Sequence, residues 1–448
     1  MNKKALRVGI LGCGNVGSAV VNELLSNNIE QLTLKKVLVK DPNKARDIPN
    51  LAAGQEKTLF TINPEEIISN PEIDLVIEVM SGDKPVLDYV LKALNSGKHF
   101  VTANKELIAK HGPEIFKAAH QNKVQVRLDA TVGGGIPIIN TMLDSLKANK
   151  ITEVVGILNG TTNYILSAMK AGEEFADVLK QAQDLGYAEP DPTNDLEGID
   201  TKYKTSILSS LAFHNYISPD EIPNEGISKI SSADFHFAKK WDFSIKLLGI
   251  ARRLSSGKEG ADEKISIGVY PSLISNKQPL SQIDGVTNAI QIRGHLINEL
   301  LLVGPGAGPK ATSSAILGDA LSIAKQNLTE SPLPYESSAP IDNHSPNNKY
   351  CFYVRLRVTD EAGVIGQVGN ILAKFNVSLS SIDQEAHLNK NSSKNSKNHS
   401  DKKWDQKGEA TLILLTHLVQ EDVFKEALAE IEKLKCIKEI CGTLRVFE

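Results

Sequence analysis

The chain has 448 residues, a formal net charge of −4 and 41% hydrophobic residues. This length exceeds what one compact core accommodates, so two or three domains are expected. The slightly acidic balance argues against nucleic acid as a partner, because polyphosphate binding needs a basic face. No apolar run reaches the roughly 20 residues that span a bilayer, which argues against a membrane partner. The four scattered cysteines form no CxxC pair, so we expect a cytoplasmic enzyme or sensor.

The first third of the chain alternates short apolar runs with helical patterns. Strands are predicted at 6–11, 37–39, 75–79 and 99–102, and helices at 16–25 and 86–94. This alternation is typical of the α/β class with a parallel, doubly wound sheet of Rossmann type. We assign residues 1–128 to this domain and expect a helix near 313–327 to complete it.

A GxGxxG pattern at 12–17 follows the first predicted strand and opens a helix. Gly12 permits the tight turn, Gly14 lets the backbone approach a pyrophosphate, and Gly17 allows the helix to pack closely on the strand. The helix N-terminus attracts the anion. The pattern in this position predicts a dinucleotide site that includes Gly12, Gly14, Asn15, Val16 and Gly17.

The end of the second predicted strand bears on the choice of cofactor. NAD-selective folds usually place an acidic residue there to hold the ribose hydroxyls. Here the first polar residue is Lys40, with Lys44 and Arg46 nearby, and cations suit a 2′-phosphate. We therefore favour NADP, while Asp41 leaves NAD open, and a solvated basic turn is the alternative interpretation.

Residues 129–312 have longer helical patterns and β-rich stretches at 265–270 and 289–292, which predict an α+β domain. Residues 328–349 combine four prolines with Ser, Asn and Asp and are predicted to be a linker. Beyond it, 350–448 shows a β-α-β-β-α-β order that is typical of a ferredoxin-like module. The insertion 389–407 is mostly Asn, Ser and Lys, and we expect a disordered hairpin loop there.

An Asp–Lys pair stands out in the middle domain. Asn194 and Glu197 resemble an N-terminal helix cap, after which Asp200 and Lys204 lie four residues apart on one helical face. A lysine beside the apolar stripe at 207–212 could give or take a proton, because burial lowers its pKa while a carboxylate raises it. An exposed helix ion pair is the alternative at this spacing.

Several segments together resemble the homoserine dehydrogenase family. They are VTANK at 101–105, GGGIP at 133–137, GILNGTTNYIL at 156–166, GYAEPDPTNDLEGIDTKYK at 186–204 and a glycine turn at 304–308. The resemblance extends from residue 8 to 446. The C-terminal unit, with the turn 360–364 between strand and helix, resembles an ACT domain, the small-molecule sensor that longer members of this family carry.

This resemblance implies reversible hydride transfer between NAD(P)H and L-aspartate 4-semialdehyde, which gives L-homoserine for threonine, methionine and isoleucine biosynthesis. It implies that Lys204 and Lys105 are the acid–base candidates and that Asp200 belongs to the catalytic group. The resemblance leaves open which lysine moves the proton; we favour Lys204 as the donor, with Lys105 bridging cofactor and substrate. The positions that correspond to the family's substrate contacts are Glu189, Asp195, Asp200, Gly160 and Thr161.

The resemblance also implies accessory sites. Gly308 corresponds to a cofactor contact, and the middle domain to a dimerisation domain in a homo-dimer or homo-tetramer. Backbone carbonyls match a sodium site at Asp129, Val132, Gly134 and Ile136. The effector, L-threonine, would bind the C-terminal unit at Asp360, Gly363 and Val364.

Four departures from the family pattern concern details of binding. Asp129 stands where Glu is usual, Ser81 where Gly is common, and Lys40 where Arg is more frequent. Residues 309–314, PKATSS, also differ from the usual proline–threonine–alanine–serine run. Other amino-acid dehydrogenases with sensor domains, of phosphoglycerate or prephenate type, lack the NGTTN and AEPDP segments. A catalytically inactive nucleotide or amino-acid sensor on the same fold is the alternative from a different class.

Overall fold

The computed structural model describes residues 5–26, 28–254, 264–325, 335, 340–344, 348–386 and 408–447. The predicted disordered loop at 389–407 and most of the predicted linker lie outside these residues. Within the described part of the chain, no helix has both the length and the apolar character needed to cross a membrane.

The first sheet is parallel throughout and has the strand order β3-β2-β1-β4-β5-β6. This is the Rossmann order that was expected. Its strands β1–β6 are Leu6–Leu11, Leu32–Leu38, Phe60–Thr61, Leu75–Glu78, His99–Thr102 and Val126–Arg127. Its helices α1–α5 are Asn15–Leu25, Glu56–Leu59, Glu65–Ile68, Val86–Asn95 and Lys105–Gln121.

Burial accounts for the apolar residues of strand β1, at the centre of this sheet. Val8, Ile10 and Leu11 of β1 are fully buried, because helices cover both faces of a parallel sheet. A later helix, Pro309–Lys325, packs on α1 and adds Ile316 and Ala320 to the same core. The chain therefore leaves this core after β6 and returns to it about 180 residues later along the sequence.

The middle segment forms an antiparallel sheet in the order β11-β10-β7-β8-β9. Its strands β7–β11 are Ile151–Ile157, Phe243–Leu254, Lys264–Ser275, Thr287–Gly294 and Asn298–Pro305. Its helices α6–α11 are Ile138–Asn140, Gly160–Lys170, Phe175–Asp184, Thr193–Leu196, Ile199–Phe213 and Ser232–Lys240, and the helix Pro309–Lys325 that follows is α12. The long helix α10 packs on β7, β8 and β9, and this places its first turn near the carboxyl edge of the first sheet through contacts with α5.

The C-terminal unit has the predicted βαββαβ order. Its strands β12–β16 are Lys349–Thr359, Leu379–Ala386, Glu409–Thr416, Val419–Gln420 and Ile437–Phe447, and its helices α13 and α14 are Val364–Lys374 and Glu421–Glu432. The sheet runs β16-β12-β14-β13, with the short β15 paired to β12.

The C-terminal unit is joined to the middle segment more intimately than a predicted linker suggests. Strand β16 pairs in parallel with β9, at Arg445 opposite Ser272 and Phe447 opposite Ile274, so the two units share one sheet. Arg355 of β12 also forms an ion pair with Asp234 of α11 at 2.8 Å, and both side chains are only 2% exposed. Three-residue pairing between distant strands leaves no local pattern, which explains why the sequence did not predict it.

Candidate active site

The glycine turn after β1 leaves room for a phosphate group of a ligand to approach its backbone. Gly12 has φ +102°, a conformation that glycine adopts without strain. A Cβ added at Gly17 would lie 2.5 Å from the Gly12 carbonyl oxygen, so only glycine lets α1 approach the turn. A Cβ at Gly14 would meet nothing within 4 Å, which leaves open space in front of the N-terminus of α1. These features fit a dinucleotide pyrophosphate.

A cavity of about 960 Å³ opens in front of this turn, and we call it the glycine-loop cavity. Its described wall includes Asn15, Lys44 and Arg46, but not Lys40, which is exposed beyond the end of β2. The Arg46 guanidinium donates to the Asp41 carbonyl oxygen at 2.8 Å, which holds the cation at the rim.

A second, smaller cavity of about 260 Å³ lies at the carboxyl ends of β4 and β5, and we call it the lysine cavity. Val16 of α1, Lys105 and Lys204 contribute to its wall. Two glycine turns meet beside it: a Cβ on Gly134 would lie 2.6 Å from the carbonyl carbon of Gly306. Gly308, with φ +107°, ends the second of these turns before α12 begins.

The two lysines converge on one carboxylate. Asp200 Oδ1 lies 2.8 Å from Lys105 Nζ, and Asp200 Oδ2 lies 2.7 Å from Lys204 Nζ. Lys204 Nζ also donates to the Leu158 carbonyl oxygen at 2.7 Å. The Asp200–Lys204 pair is buried, so the alternative of an exposed helix ion pair does not hold. Lys105, whose side chain is 40% exposed, is the more accessible of the two ammonium groups.

A third cavity, of about 360 Å³, adjoins the same cluster, and we call it the acidic cavity. Glu189, Asp195 and Asp200 line it, and Lys105 belongs to its wall and to that of the lysine cavity. Thr161 lies outside the wall and instead donates to the Tyr187 carbonyl oxygen at 2.6 Å. Gly160 begins α7 and also lies outside the wall, where a Cβ would come within 2.9 Å of the Val286 carbonyl oxygen.

The charges in this cluster stabilise one another. Burial alone would raise the pKa of Asp200, but the ammonium groups of Lys204 and Lys105 outweigh it and hold that pKa well below its usual range. The Asp200 carboxylate in turn raises the pKa of Lys105 despite its partial burial. Burial raises the pKa of Asp195, opposed by a hydrogen bond from Asn159. The acidic cavity therefore combines the Asp200 carboxylate, paired with two ammonium groups, with a second carboxyl whose pKa burial raises.

The turn at 129–136 was predicted to offer carbonyl oxygens to a monovalent cation. Gly133 and Gly134 both have positive φ and fold the backbone back on itself, while Val132 and Ile136 are buried. The Asp129 side chain is engaged elsewhere and accepts hydrogen bonds from Ile139 N and Asn140 N. A backbone folded in this way is compatible with a cation held by carbonyl oxygens, the ligands that hard cations take. Within the described residues, no cluster of three His, Cys, Asp or Glu side chains could hold a metal.

The three residues predicted to bind an effector lie together in the C-terminal unit, at the turn from β12 to α13. Gly363 has φ +95° and caps α13, Val364 is buried as its first residue, and Asp360 is exposed. The Asp360 backbone N–H donates to the Gly408 carbonyl oxygen at 2.9 Å. None of the three lines the cavities described above.

Comparison with known proteins accounts for this arrangement. The family model described as the NAD-binding domain of homoserine dehydrogenase matches residues 12–129, and the model described as homoserine dehydrogenase matches 137–321. Homoserine dehydrogenase of Neisseria gonorrhoeae is 35% identical over 99% of both chains, and that of Synechocystis is 37% identical over 98% of this chain and 99% of its own. The crystal structure of a homoserine dehydrogenase from Thiobacillus denitrificans superposes with a TM-score of 0.86, at 34% identity over 99% of both chains.

The chain belongs to the homoserine dehydrogenase family. Membership in this family identifies the first domain as a nicotinamide dinucleotide-binding domain and gives the inactive-sensor alternative no support. A shorter member, a hyperthermophilic archaeal homoserine dehydrogenase mutant in complex with NADPH, covers 71% of this chain and 98% of its own, with a TM-score of 0.60 at 26% identity. The family therefore includes chains much shorter than this one.

One polar residue of the homoserine dehydrogenase site was missed as a functional residue. Asn159 Nδ2 donates to Asp195 Oδ1 at 2.7 Å and to Asp200 Oδ2 at 3.0 Å. Its Oδ1 accepts from Thr162 N and so caps α7. The sequence held a signal for the cap, an Asn before a helical run, but the contact with both acids depends on the position of α10 in space.

Proposed function

We propose that this chain interconverts L-homoserine and L-aspartate 4-semialdehyde with a nicotinamide cofactor. The observation that carries the proposal is the Lys105–Asp200–Lys204 cluster, which lies where the lysine cavity meets the acidic cavity. A proton must move to or from the substrate oxygen at the carbon where the redox change occurs, and the cluster supplies two ammonium groups at this junction.

The roles follow from the contacts of each group. Lys204 Nζ gives two of its N–H bonds to Asp200 and Leu158, which leaves one to donate to the aldehyde oxygen during reduction. Lys105, shared by the two cavities, orients the substrate against the cofactor. The lysine cavity would hold the nicotinamide, which would supply or take the hydride when bound. In the oxidative direction the hydroxyl proton leaves through the same lysine.

Recognition of the substrate amine is assigned to the acidic cavity. L-homoserine carries an ammonium group, and Glu189, Asp195 and Asp200 present carboxylates to this space. Asn159 fixes Asp195 and Asp200 relative to each other. Burial raises the pKa of Asp195. The positive charge of a bound ammonium group should lower that pKa toward its ordinary value, because it favours the carboxylate form.

We favour NADP over NAD as the cofactor. Lys44 and Arg46 line the glycine-loop cavity, so two cations are available to a 2′-phosphate, while the exposed Lys40 lies outside its wall. The archaeal relative with NADPH is consistent with this choice.

Sodium at the 129–136 turn is proposed as a structural ion. Replacing sodium by tetramethylammonium at constant ionic strength should lower activity.

The proposed function is tested by absorbance of the reduced nicotinamide with L-homoserine and either NADP or NAD. Homoserine-dependent reduction, faster with NADP, is expected. Failure with both cofactors, together with failure of the reverse reaction with the semialdehyde, would contradict the proposed function. A preference for NAD would contradict only the cofactor assignment.

The C-terminal unit is proposed to be an ACT domain that binds L-threonine and restrains activity, in a homo-dimer or homo-tetramer. Support comes from the βαββαβ order and from the Gly363-capped turn at the start of α13. Deletion of the unit is an unsuitable test, because β16 pairs with β9 of the catalytic part. Asp360→Ala should instead abolish threonine inhibition, while Glu361→Ala, an exposed neighbour, should not. Equal inhibition of both variants would place the effector elsewhere.

A further inference from the structure

Glu78 is a buried carboxyl at the carboxyl end of β4 that the proposed chemistry does not use. It is 0% exposed, and among the described residues it forms no ion pair. A charge buried without a counter-ion is costly unless hydrogen bonds satisfy it. The hydrogen bonds that satisfy Glu78 should therefore show which parts of the structure this carboxyl holds together.

Both carboxyl oxygens of Glu78 are engaged, and each holds a different strand end. Oε1 accepts from Met80 N at 2.6 Å, in the turn that follows β4. Oε2 accepts from Thr102 Oγ1 at 2.6 Å, at the last residue of β5. One side chain thus links two neighbouring loops at the edge of the sheet where ligands bind in this fold.

The link continues from Thr102 to the start of α5. Thr102 Oγ1 accepts from Asn104 N at 2.9 Å, and Asn104 caps α5 by accepting from Leu107 N. Asn104 Nδ2 donates to the Gly82 carbonyl oxygen at 2.8 Å, which joins the two loops a second time. The first residue of the helix so fixed is Lys105.

The same two loops form part of the lysine cavity. Met80 and Ser81 come from the first loop, and Ala103 and Lys105 from the second. Lys105 reaches from this wall to Asp200 at 2.8 Å. A shift of either loop would change the space for the nicotinamide ring and the direction of the Lys105 ammonium group together.

We propose that Glu78 is a positioning residue that, through Thr102 and Asn104, fixes Lys105 and the nicotinamide side of the lysine cavity for hydride transfer. The inference rests on the proposed dehydrogenase function. It separates two parts of cofactor binding, because the hydrogen bonds described for the Glu78 network do not extend to the glycine turn at 12–17, which lies against Val79 and is proposed to hold the pyrophosphate. Its signature is a loss of turnover without a loss of affinity for the adenosine half of the cofactor.

The test uses Thr102→Val, which removes the hydroxyl at constant side-chain size, and Thr102→Ser, which restores it. Glu78→Gln tests the carboxyl itself, since the two oxygens of Glu78 accept from different donors and an amide keeps only one of these two acceptor atoms. We expect Thr102→Val and Glu78→Gln to lower kcat at least tenfold, and Thr102→Ser to stay within about threefold of the wild type. Affinity for 2′-phosphoadenosine diphosphate ribose, measured by calorimetry, should change less than twofold in all three variants.

Lys98→Met is the matched control. Lys98 is buried at the opposite end of the same two strands, where its Nζ donates to the carbonyl oxygens of Asn70 and Ile73. This variant should lower the melting temperature without the tenfold fall in kcat.

Each outcome has a defined meaning. The proposal is overturned if Thr102→Val and Glu78→Gln keep kcat within twofold of the wild type, if Lys98→Met reproduces their loss, or if the fragment affinity falls in parallel with kcat. Absence of turnover in the wild-type chain would instead contradict the proposed function. In that case the test is the ratio of each variant's affinity for the whole cofactor to its affinity for the adenosine fragment. A ratio equal to that of the wild type overturns the proposal.

Discussion

Asp200 is the residue on which the candidate site depends, because its two oxygens each hold one lysine. The carboxylate is buried, so the two ammonium groups interact with it in a medium of lower dielectric than water. Their geometry assigns different roles to similar side chains. Lys204 is buried and held by a carbonyl oxygen as well, while Lys105 is the more exposed and borders both small cavities.

Lys204→Ala should lower kcat by roughly 10³, which lies within the range expected for loss of a positioned proton donor. Cofactor affinity should change little, since Lys204 does not belong to the wall of the glycine-loop cavity. Stopped-flow absorbance and cofactor titration measure the two effects. Lys202→Ala, on the same helix but outside the cavity walls, is the control, and turnover of Lys204→Ala at the level of this control would refute the role of Lys204.

A second prediction concerns two buried carboxyls that couple the first domain to the middle segment. Burial, and then the nearby Asp319 charge, raises the pKa of Asp129 to about 7, and burial raises that of Asp319 to about 6. Because both pKa values are higher in the folded state, the folded protein binds more protons than the unfolded chain between about pH 4 and 7. The free energy of unfolding should therefore fall as pH rises through this window.

Asp319→Asn tests this coupling. The substitution removes one titrating group and also the charge that raises the pKa of Asp129. The fall in unfolding free energy between pH 5 and pH 8 should be smaller in the variant by at least about 1 kcal/mol, because roughly one unit of the Asp319 pKa shift lies above pH 5. Urea denaturation at the two pH values measures it, and an identical pH dependence in both proteins would show that the carboxyls do not control it.

At the scale of elements, two glycines of the turn before α1 are expected to serve different purposes: Gly17 is needed for folding, and Gly14 for cofactor binding. Gly17→Ala should displace the turn, because its Cβ would lie 2.5 Å from the Gly12 carbonyl oxygen, and cost about 1–3 kcal/mol of stability. Gly14→Ala meets nothing within 4 Å, so stability should change by less than about 0.5 kcal/mol.

Cofactor affinity should nevertheless fall at least tenfold in Gly14→Ala, since the methyl group would occupy the approach of the pyrophosphate. Thermal unfolding and cofactor titration distinguish the two glycines. Unchanged affinity in a well-folded Gly14→Ala variant would mean that the pyrophosphate does not lie against this residue.

Elements with a regular local pattern were predicted well from the sequence, and elements without one were not. Strands β1, β4 and β5 agree with their predicted positions to within a residue. Strands β3 and β6, of two residues each, are too short to show a pattern, and α5 contains Gly112 and Pro113, which obscure its helical periodicity.

The start of α10 corrects one prediction. The proposed cap at Asn194 and Glu197 was wrong, because these residues belong to the short helix α9 and its end. Gly198, with φ +76°, separates the two helices and caps α10. The Asp200–Lys204 contact still forms, since four-residue spacing within a helix fixes it locally, whereas the contact with Lys105 depends on the packing of α5 on α10.

At the scale of the whole molecule, the C-terminal unit is held by buried charges as well as by β-pairing. Arg445 contacts Glu421 of its own unit and Glu225 of the middle segment, and it lies 3.5 Å from the centre of the Tyr270 ring. Arg355 pairs with Asp234 across the same junction. Such contacts favour unfolding of both units as one cooperative body.

Arg355→Met should lower the free energy of unfolding by about 3–5 kcal/mol, because it leaves Asp234 buried without its cation. Arg357→Met is the control, since the ion pairs that Arg357 forms with described residues lie within the C-terminal unit and at a more exposed site. A loss below about 1 kcal/mol is expected. In a Trp404→Phe background, Trp241 stacks edge-on against Tyr353 and reports the junction. Its denaturation curve should coincide with loss of enzymatic activity, and two separate transitions would disprove the single cooperative body.

The parallel pairing of β16 with β9 has a consequence for synthesis of the chain. Once residue 325 has been translated, the nascent chain contains the glycine turn, both lysines and the helices α1–α12. The edge of β9 at 272–274 still lacks its neighbour, which comes from 445–447. The nascent chain therefore carries an unpaired sheet edge for more than a hundred further codons. A chaperone that shields exposed strands should bind the nascent chain during this interval.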